Sequence, residues 1–270
     1  MTHYVLLMLF LFFMAVVIIT LYISYQKLSG MIQTLRKEAG FNARNVVSQV
    51  EGLLAVYTEA GPTHALPKSG GWAASPDMLH VLITVIHSKR PKVVLECSSG
   101  LSTIVIASCL KRQGGGHVVS LEHSPEYASK TRELIRLHGL EDWARVVDAP
   151  LISMAIDHWT GAWYDISGLD LAMKADLLVV DGPPSDEVYL GRYPAFPALT
   201  GHLNDDAFIV LDDADRDMEK TMVTRWSELY PALREIQVGT CEKGCRLFAV
   251  GKLSGLVQRA KLANMVKNVP

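Results

Sequence analysis

The chain has 270 residues, 49% of them hydrophobic, and a formal net charge of −2. That length supports one globular domain of ordinary size plus an appendage. A near-neutral balance supplies no electrostatic footprint for nucleic acid, so no nucleic-acid partner is expected.

The appendage comes first. Val5 to Ser24 carries no charged residue and is rich in Leu, Phe, Ile and Val. At about 1.5 Å rise per residue it is long enough to cross a hydrocarbon core of about 30 Å. Tyr4, Tyr22 and Tyr25 sit at its ends, where amphipathic rings favour the interface. A cleaved signal peptide fits less well: no Lys or Arg precedes the run and no small-x-small site follows it. Lys27, Arg36, Lys37 and Arg44 all follow the span. The positive-inside rule then places the rest of the chain in the cytoplasm, as a single-pass membrane protein. Residues 1–25 are therefore the expected anchor and 26–60 a juxtamembrane helical linker. Leu28, Ile32, Leu35, Val46, Val50 and Leu53 make a broken apolar stripe on that linker. A spacer helix and a dimerising helix are both open readings of it, the second implying a homodimer.

Residues 61–251 read as the folded domain. Ser75-Pro76-Asp77 is a helix start, with Pro at the first helical position. Before it, Gly70-Gly71-Trp72 is expected either to close over a site or to pack Trp72 into the core. Val93–Leu95 is a short buried strand ending on Glu96, followed by the small-residue turn Cys97–Gly100. Ser102 and Thr103 are expected to cap a helix that runs through Arg112 and stops at Gly114–Gly116. A second strand ends on Glu122. Ser124-Pro125-Glu126 opens a helix that Gly139 stops, and Arg145–Asp148 is a third strand.

Leu151–Lys174 reads as irregular. Asp176–Asp181 is a strand apolar throughout, broken by Gly182-Pro183-Pro184. Arg192 to His202 is a helix candidate. Ala207–Asp212 is another buried strand, with Asp213 placed to cap a helix that reaches Tyr230. Leu233–Gly239 and Arg246–Gly251 form a hairpin around Cys241 and Cys245, which read as hairpin residues because no second cysteine pair completes a zinc site. Residues 252–270 form a basic amphipathic tail, suited to the inner leaflet or to docking on the domain.

Strands alternating with helices imply an α/β fold: a Rossmann-like open, mainly parallel sheet with helices on both faces and a C-terminal antiparallel hairpin. The acids Glu96, Glu122, Asp148, Asp181 and Asp212 all close strands, at the edge where such sheets bind ligands. A small-residue turn followed by an acid about twenty residues on is the chemistry of a nucleoside site.

Those residues carry a resemblance. Val-Val-Leu-Glu-Cys-Ser-Ser-Gly-Leu-Ser-Thr, Ser-Leu-Glu122-His, Val-Val-Asp148-Ala, Leu-Val-Val-Asp181-Gly-Pro-Pro and the terminal hairpin together resemble the class I S-adenosylmethionine-dependent methyltransferases. In that family the first turn reads E/D-x-G-x-G; here Gly100 matches the second glycine and Ser98 stands at the first. The resemblance implies S-adenosylmethionine as cofactor. It implies that Glu96, Ser98, Gly100 and Ser102 line the methionine end, Glu122 and His123 the ribose, and Asp148 and Ala149 the adenine. Asp181 borders both cofactor and acceptor. A nicotinamide-dinucleotide enzyme is the chemical rival, but its G-x-G-x-x-G would need glycine where Ser98 and Thr103 stand.

Asp181, Asp212 and Asp213 also look like the ligand set of the divalent-metal catechol-type O-methyltransferases, with Mg2+ or another divalent cation as the implied ion. That family has Asp-Asn where this chain has Asp212-Asp213, and a lysine where Gly182-Pro183-Pro184 follows Asp181. The direct alternatives are a carboxylate base, for which Asp181 and Asp213 are candidates, and a solvated acidic rim. Arg192 is a candidate for holding an anionic acceptor or for a surface ion pair. The expected activity is methylation of a hydroxyl on a small-molecule, sugar, glycan or lipid-linked acceptor. N-methylation and a catalytically silent nucleoside-binding module remain open beside it.

Overall fold

The computed structural model describes residues 2–171, 173–184, 188–239 and 241–251. The basic tail 252–270 lies outside them. The chain divides into two compact units, Met1–Val47 and Ser48–Pro270.

Helix α1 spans Thr2–Ala55 without a break. Gly30 and Gly40 leave it intact. Its apolar stretch is long and apolar enough to cross a membrane, and none of that stretch is buried by protein. A π-helical turn, Val56–Ala60, ends the run at Gly61, which takes the left-handed conformation that glycine tolerates.

In the second unit, strands β1 (Val93–Cys97), β2 (His117–Glu122), β3 (Ala144–Asp148), β6 (Ala175–Val180), β7 (Leu203–Asp212), β8 (Arg234–Ile236) and β9 (Cys245–Ala249) make a seven-stranded sheet ordered β3-β2-β1-β6-β7-β9-β8. The five strands from β3 to β7 run parallel, and the β8–β9 hairpin adds antiparallel to β7. Helices α2 (Pro76–Lys89), α3 (Leu101–Gln113) and α4 (Pro125–His138) pack with Val94, Val118, Leu177, Val179 and Val210 in one apolar cluster. Val93, Leu95, Val119, Leu178, Val180, Ile209 and Leu211 point the other way, toward α5 (Ala195–Leu199) and α6 (Asp217–Leu229). Successive strand residues alternate between faces, so β-branched and aliphatic runs such as Val93–Leu95 fill both clusters at once.

Several expectations are corrected. Leu151–Lys174 is not irregular: β4 (Leu151–Ile156) and β5 (Trp159–Tyr164) pair antiparallel around Asp157-His158. Asp157 takes a φ of +50°, the left-handed backbone that two-residue hairpin turns require. Gly100 is the N-cap of α3 and Ser102 lies inside it, while Thr103 does cap the helix, from its third position, by accepting from the Gly100 amide. The Arg192–His202 helix shrinks to α5 and a 3-10 turn, Thr200–His202, behind Pro194. Asp213 does not cap α6: at φ +55° it turns the chain away, and the N-cap is Arg216. Trp72 is no core residue, being 76% exposed.

Candidate active site

The strand order reverses between β1 and β6. From β1 the chain moves outward through β2 and β3; with β6 it returns beside β1 and builds toward β7. Such a switch point leaves a crevice at the carboxyl ends of the two strands, since the flanking connections depart in opposite directions. The Asp181 amide donates to the Cys97 carbonyl at 3.2 Å, so the turns leaving β1 and β6 meet there.

The β1 turn is built from beneath. Glu96 is wholly buried; its Oε2 accepts from Thr103 Oγ1 at 2.6 Å and from Ser120 Oγ at 2.5 Å. Thr103 Oγ1 in turn accepts from the Gly100 amide at 3.0 Å. Burial pushes the Glu96 carboxyl above its usual range, against the hydrogen bonds from Ser102, Ser120 and Thr103. Glu96 and Ser102 therefore shape the turn from inside instead of lining its open side. Ser98 takes a φ of +100°, where a side chain is strained and glycine is at ease. A β-carbon at Gly100 would meet nothing within 4 Å, so the outer face of the turn is open. Backbone strain kept at such a place is characteristic of ligand sites.

Glu122 closes β2 beside that turn. Its Oε2 accepts from the Ser99 amide (3.1 Å) and Ser99 Oγ (2.9 Å), and its Oε1 accepts from the Ser124 amide (2.9 Å). His123 Nδ1 lies 3.2 Å from Oε1. Ala149 is buried, and its amide donates to the Glu122 carbonyl at 2.7 Å. Asp148 pairs with Glu122 in register, but its carboxylate faces outward, 68% exposed, in a bridge to Arg132 at 2.8 Å.

At the other side of the crevice three acids converge: one oxygen each from Asp181, Asp212 and Asp213 lies within 4.8 Å of the others. Burial first, and then Asp212, hold the Asp181 carboxyl well above its usual range. Burial and Asp213 push Asp212 up to about 6. The cluster already contains a cation. Arg192 is 4% exposed; its Nη2 lies 2.8 Å from Asp213 Oδ2 and 3.4 Å from Asp181 Oδ1. Its Nη1 donates to the Asp212 carbonyl at 3.0 Å, and its Nε is 3.9 Å from Glu219 Oε1. Burial alone would lower the Arg192 pKa, but Asp181, Asp213, Glu219 and Asp212 together raise it. The guanidinium lies between Asp181 and Asp213, taking one oxygen of each, while Asp213 Oδ1 stays buried with no hydrogen-bond partner among the described residues. Arg192 does not present its charge to solvent, as a grip on an anionic acceptor would require.

Tyr164 was not anticipated from the sequence. The β4–β5 hairpin carries it against the β1 and β6 turns, fully buried, with its hydroxyl lacking a hydrogen-bond partner among the described residues. A β-carbon on Gly182 would lie 2.5 Å from that oxygen and 3.0 Å from Ser98 Cβ. Burial raises the Tyr164 pKa well above its usual value, so the phenol stays neutral. An aromatic-rich alternation, Trp159 to Tyr164, after a two-residue Asp-His turn was the signal available for it.

Fold and site thus define a Rossmann-like α/β protein with a crevice at its strand-order switch point. A family model described as a methyltransferase domain matches residues 95–214, which span β1 through the turn after β7. Among solved structures, the Podospora anserina methyltransferase PaMTH1 bound to SAH is similar over 76% of this chain and 88% of its own, at 17% identity and a TM-score of 0.53. The Bacillus cereus O-methyltransferase in complex with SAH is similar over 76% of this chain and 91% of its own, at 18% identity and a TM-score of 0.50. No curated protein matches in sequence. Residues 95–214 thus match a methyltransferase domain, on a fold shared with methyltransferases bound to SAH. The residues present fit S-adenosylmethionine: the turn is open above Gly100 and an acid stands at the end of β2.

Proposed function

We propose that this protein is a membrane-anchored methyltransferase whose domain lies in the cytoplasm and methylates a hydroxyl on a small-molecule, sugar or lipid-linked acceptor. The observation that carries the reading is the meeting of the β1 and β6 turns through the Asp181–Cys97 bond. It puts the cofactor turn and a buried carboxylate in one crevice.

The bound cofactor supplies an electrophilic methyl group on a sulfonium, which leaves as a neutral thioether. The chain supplies the rest. The open turn at Ser98–Gly100 lets the ligand approach the backbone closely. Glu122 takes the ribose diol, exchanging the Ser99 Oγ that it now holds for a ligand hydroxyl. Ala149, buried behind Glu122, adjoins the adenine. An oxygen acceptor loses its proton as its bond to carbon forms. Asp181, with a carboxyl already displaced upward by burial, is suited to hold that proton. Arranging acceptor and methyl in line contributes much of the rate by itself.

The anchor reading rests on the apolar stretch of α1 and on Lys27, Arg36, Lys37 and Arg44 beyond it. A domain held at the bilayer surface suits an acceptor that is itself lipid-linked. Two measurements test the proposal. Isothermal titration of the full chain in detergent with S-adenosylmethionine should give saturable heat; none would mean an inert module. Incubation with membrane extract and cofactor should yield a compound heavier by about one CH2, the net gain when methyl replaces a proton. Enrichment of that product in the aqueous, lipid-free fraction would argue against a lipid-linked acceptor.

A further inference from the structure

We propose that Arg192 is the resident cation of the acid cluster at the ends of β6 and β7, and that it holds Asp181 and Asp213 in place without a divalent ion. It rests on the methyl-transfer reading only for the use made of Asp181.

The argument is one of occupancy. A hard divalent cation needs carboxylate oxygens at about 2.0–2.6 Å, so it must sit between the acids that ligate it. Between Asp181 and Asp213 that position is taken by Arg192 Nη2, which lies 2.8 Å from Asp213 Oδ2 and 3.4 Å from Asp181 Oδ1 and leaves Asp213 Oδ1 as the buried oxygen without a hydrogen-bond partner among the described residues. The guanidinium is not a stray surface group. It is buried, its Nη1 donates to the Asp212 carbonyl at 3.0 Å, and its Nε faces Glu219 Oε1 at 3.9 Å. A planar fork that donates to Asp213, Asp181 and the Asp212 carbonyl loses all three if it withdraws.

The backbone on either side is held as well. The Tyr193 amide donates to the Leu190 carbonyl at 2.8 Å, and the Ala195 amide donates to the Arg192 carbonyl at 3.1 Å. Trp226 Nε1 donates to the Tyr193 carbonyl at 2.9 Å. Leu190 takes a φ of +54°, a conformation kept only where the surroundings enforce it. A second guanidinium, Arg216 Nη2, lies 3.1 Å from the same Asp213 Oδ2. A divalent ion entering here would meet two positive charges, the buried Arg192 and the half-exposed Arg216. Arg192 is thus a positioning residue: it orients the Asp181 carboxylate that faces the crevice.

The test uses the full chain in detergent micelles, stripped with EDTA, and reads Mn2+ by loss of its free EPR signal. Wild type should leave the signal unchanged. Arg192→Met should create a Mn2+ site, while Arg192→Lys, which keeps a cation, should not. S-adenosylmethionine affinity of wild type should be the same in EDTA and in Mn2+. Mn2+ binding by wild type that Asp213→Asn abolishes would overturn the proposal. So would cofactor affinity that rises about tenfold or more with Mn2+. If Arg192→Met does not fold by circular dichroism, the wild-type titration decides alone. Absence of cofactor binding in every condition would defeat the methyl-transfer reading and leave the Mn2+ result standing.

Discussion

Gly182 packs so closely on Tyr164 that a β-carbon on it would lie 2.5 Å from the phenol oxygen. The contact joins the β6 turn to the β4–β5 hairpin, and Ser98 Cβ completes it from the β1 side at 3.0 Å. The crevice is therefore set by three turns pressed on one another. Gly182→Ala should lower stability by roughly 1–3 kcal/mol, the usual cost of overpacking. Removing the phenol oxygen relieves the closest clash, so Gly182→Ala with Tyr164→Phe should recover part of that loss. A urea-denaturation double-mutant cycle with no coupling between the two positions would contradict the contact.

Ser98 occupies the first glycine position of the turn at φ +100°. Ser98→Gly should relieve that strain and raise stability by about 1 kcal/mol, read as a higher urea midpoint at unchanged m-value. A lower midpoint would mean that the serine side chain contributes more than its backbone strain costs.

Glu122 holds Ser99 and Ser124 through both carboxylate oxygens. Glu122→Gln keeps the shape but loses the charge and one acceptor. Its affinity for S-adenosylmethionine should fall about ten- to a hundredfold by calorimetry, the scale of a charge-assisted hydrogen-bond pair. Unchanged affinity would remove Glu122 from the ribose position.

Asp212 has its carboxyl pushed up to about 6 by burial and by Asp213. The folded value lies above that of an unfolded aspartate, about 3.9, so the fold favours the protonated form. That stabilisation is complete below the unfolded value and is lost as pH rises through about 6. Asp212→Asn mimics the protonated acid and keeps an acceptor for the Asp213 amide. It should be more stable than wild type by on the order of 1–2 kcal/mol at about pH 7.5, with the gap closing toward about pH 4. A gap of equal size at both pH values would contradict the assignment.

The parallel core was legible because its strands are short apolar runs ended by acids and glycines. Val93–Leu95 before Glu96 and Leu177–Val180 before Asp181 carry that pattern within a few residues. The β4–β5 hairpin was not legible: Leu151 and Ile152 are apolar yet exposed, so the alternation that marks a half-buried strand is blurred. Helix starts shifted wherever a residue with positive φ, such as Asp213, turned the chain first.

Local pattern by itself determined the anchor-length apolar helix, the α/β order and the acids that close the strands, because each depends on neighbours within one turn or one strand. Tertiary structure alone decided what those acids face. Glu96 is enclosed by Thr103 and Ser120 from a helix and a neighbouring strand, and Asp181 meets Arg192 across a loop eleven residues on. Charge at a site is settled by distance in space, and only the folded sheet brings those partners within hydrogen-bond range.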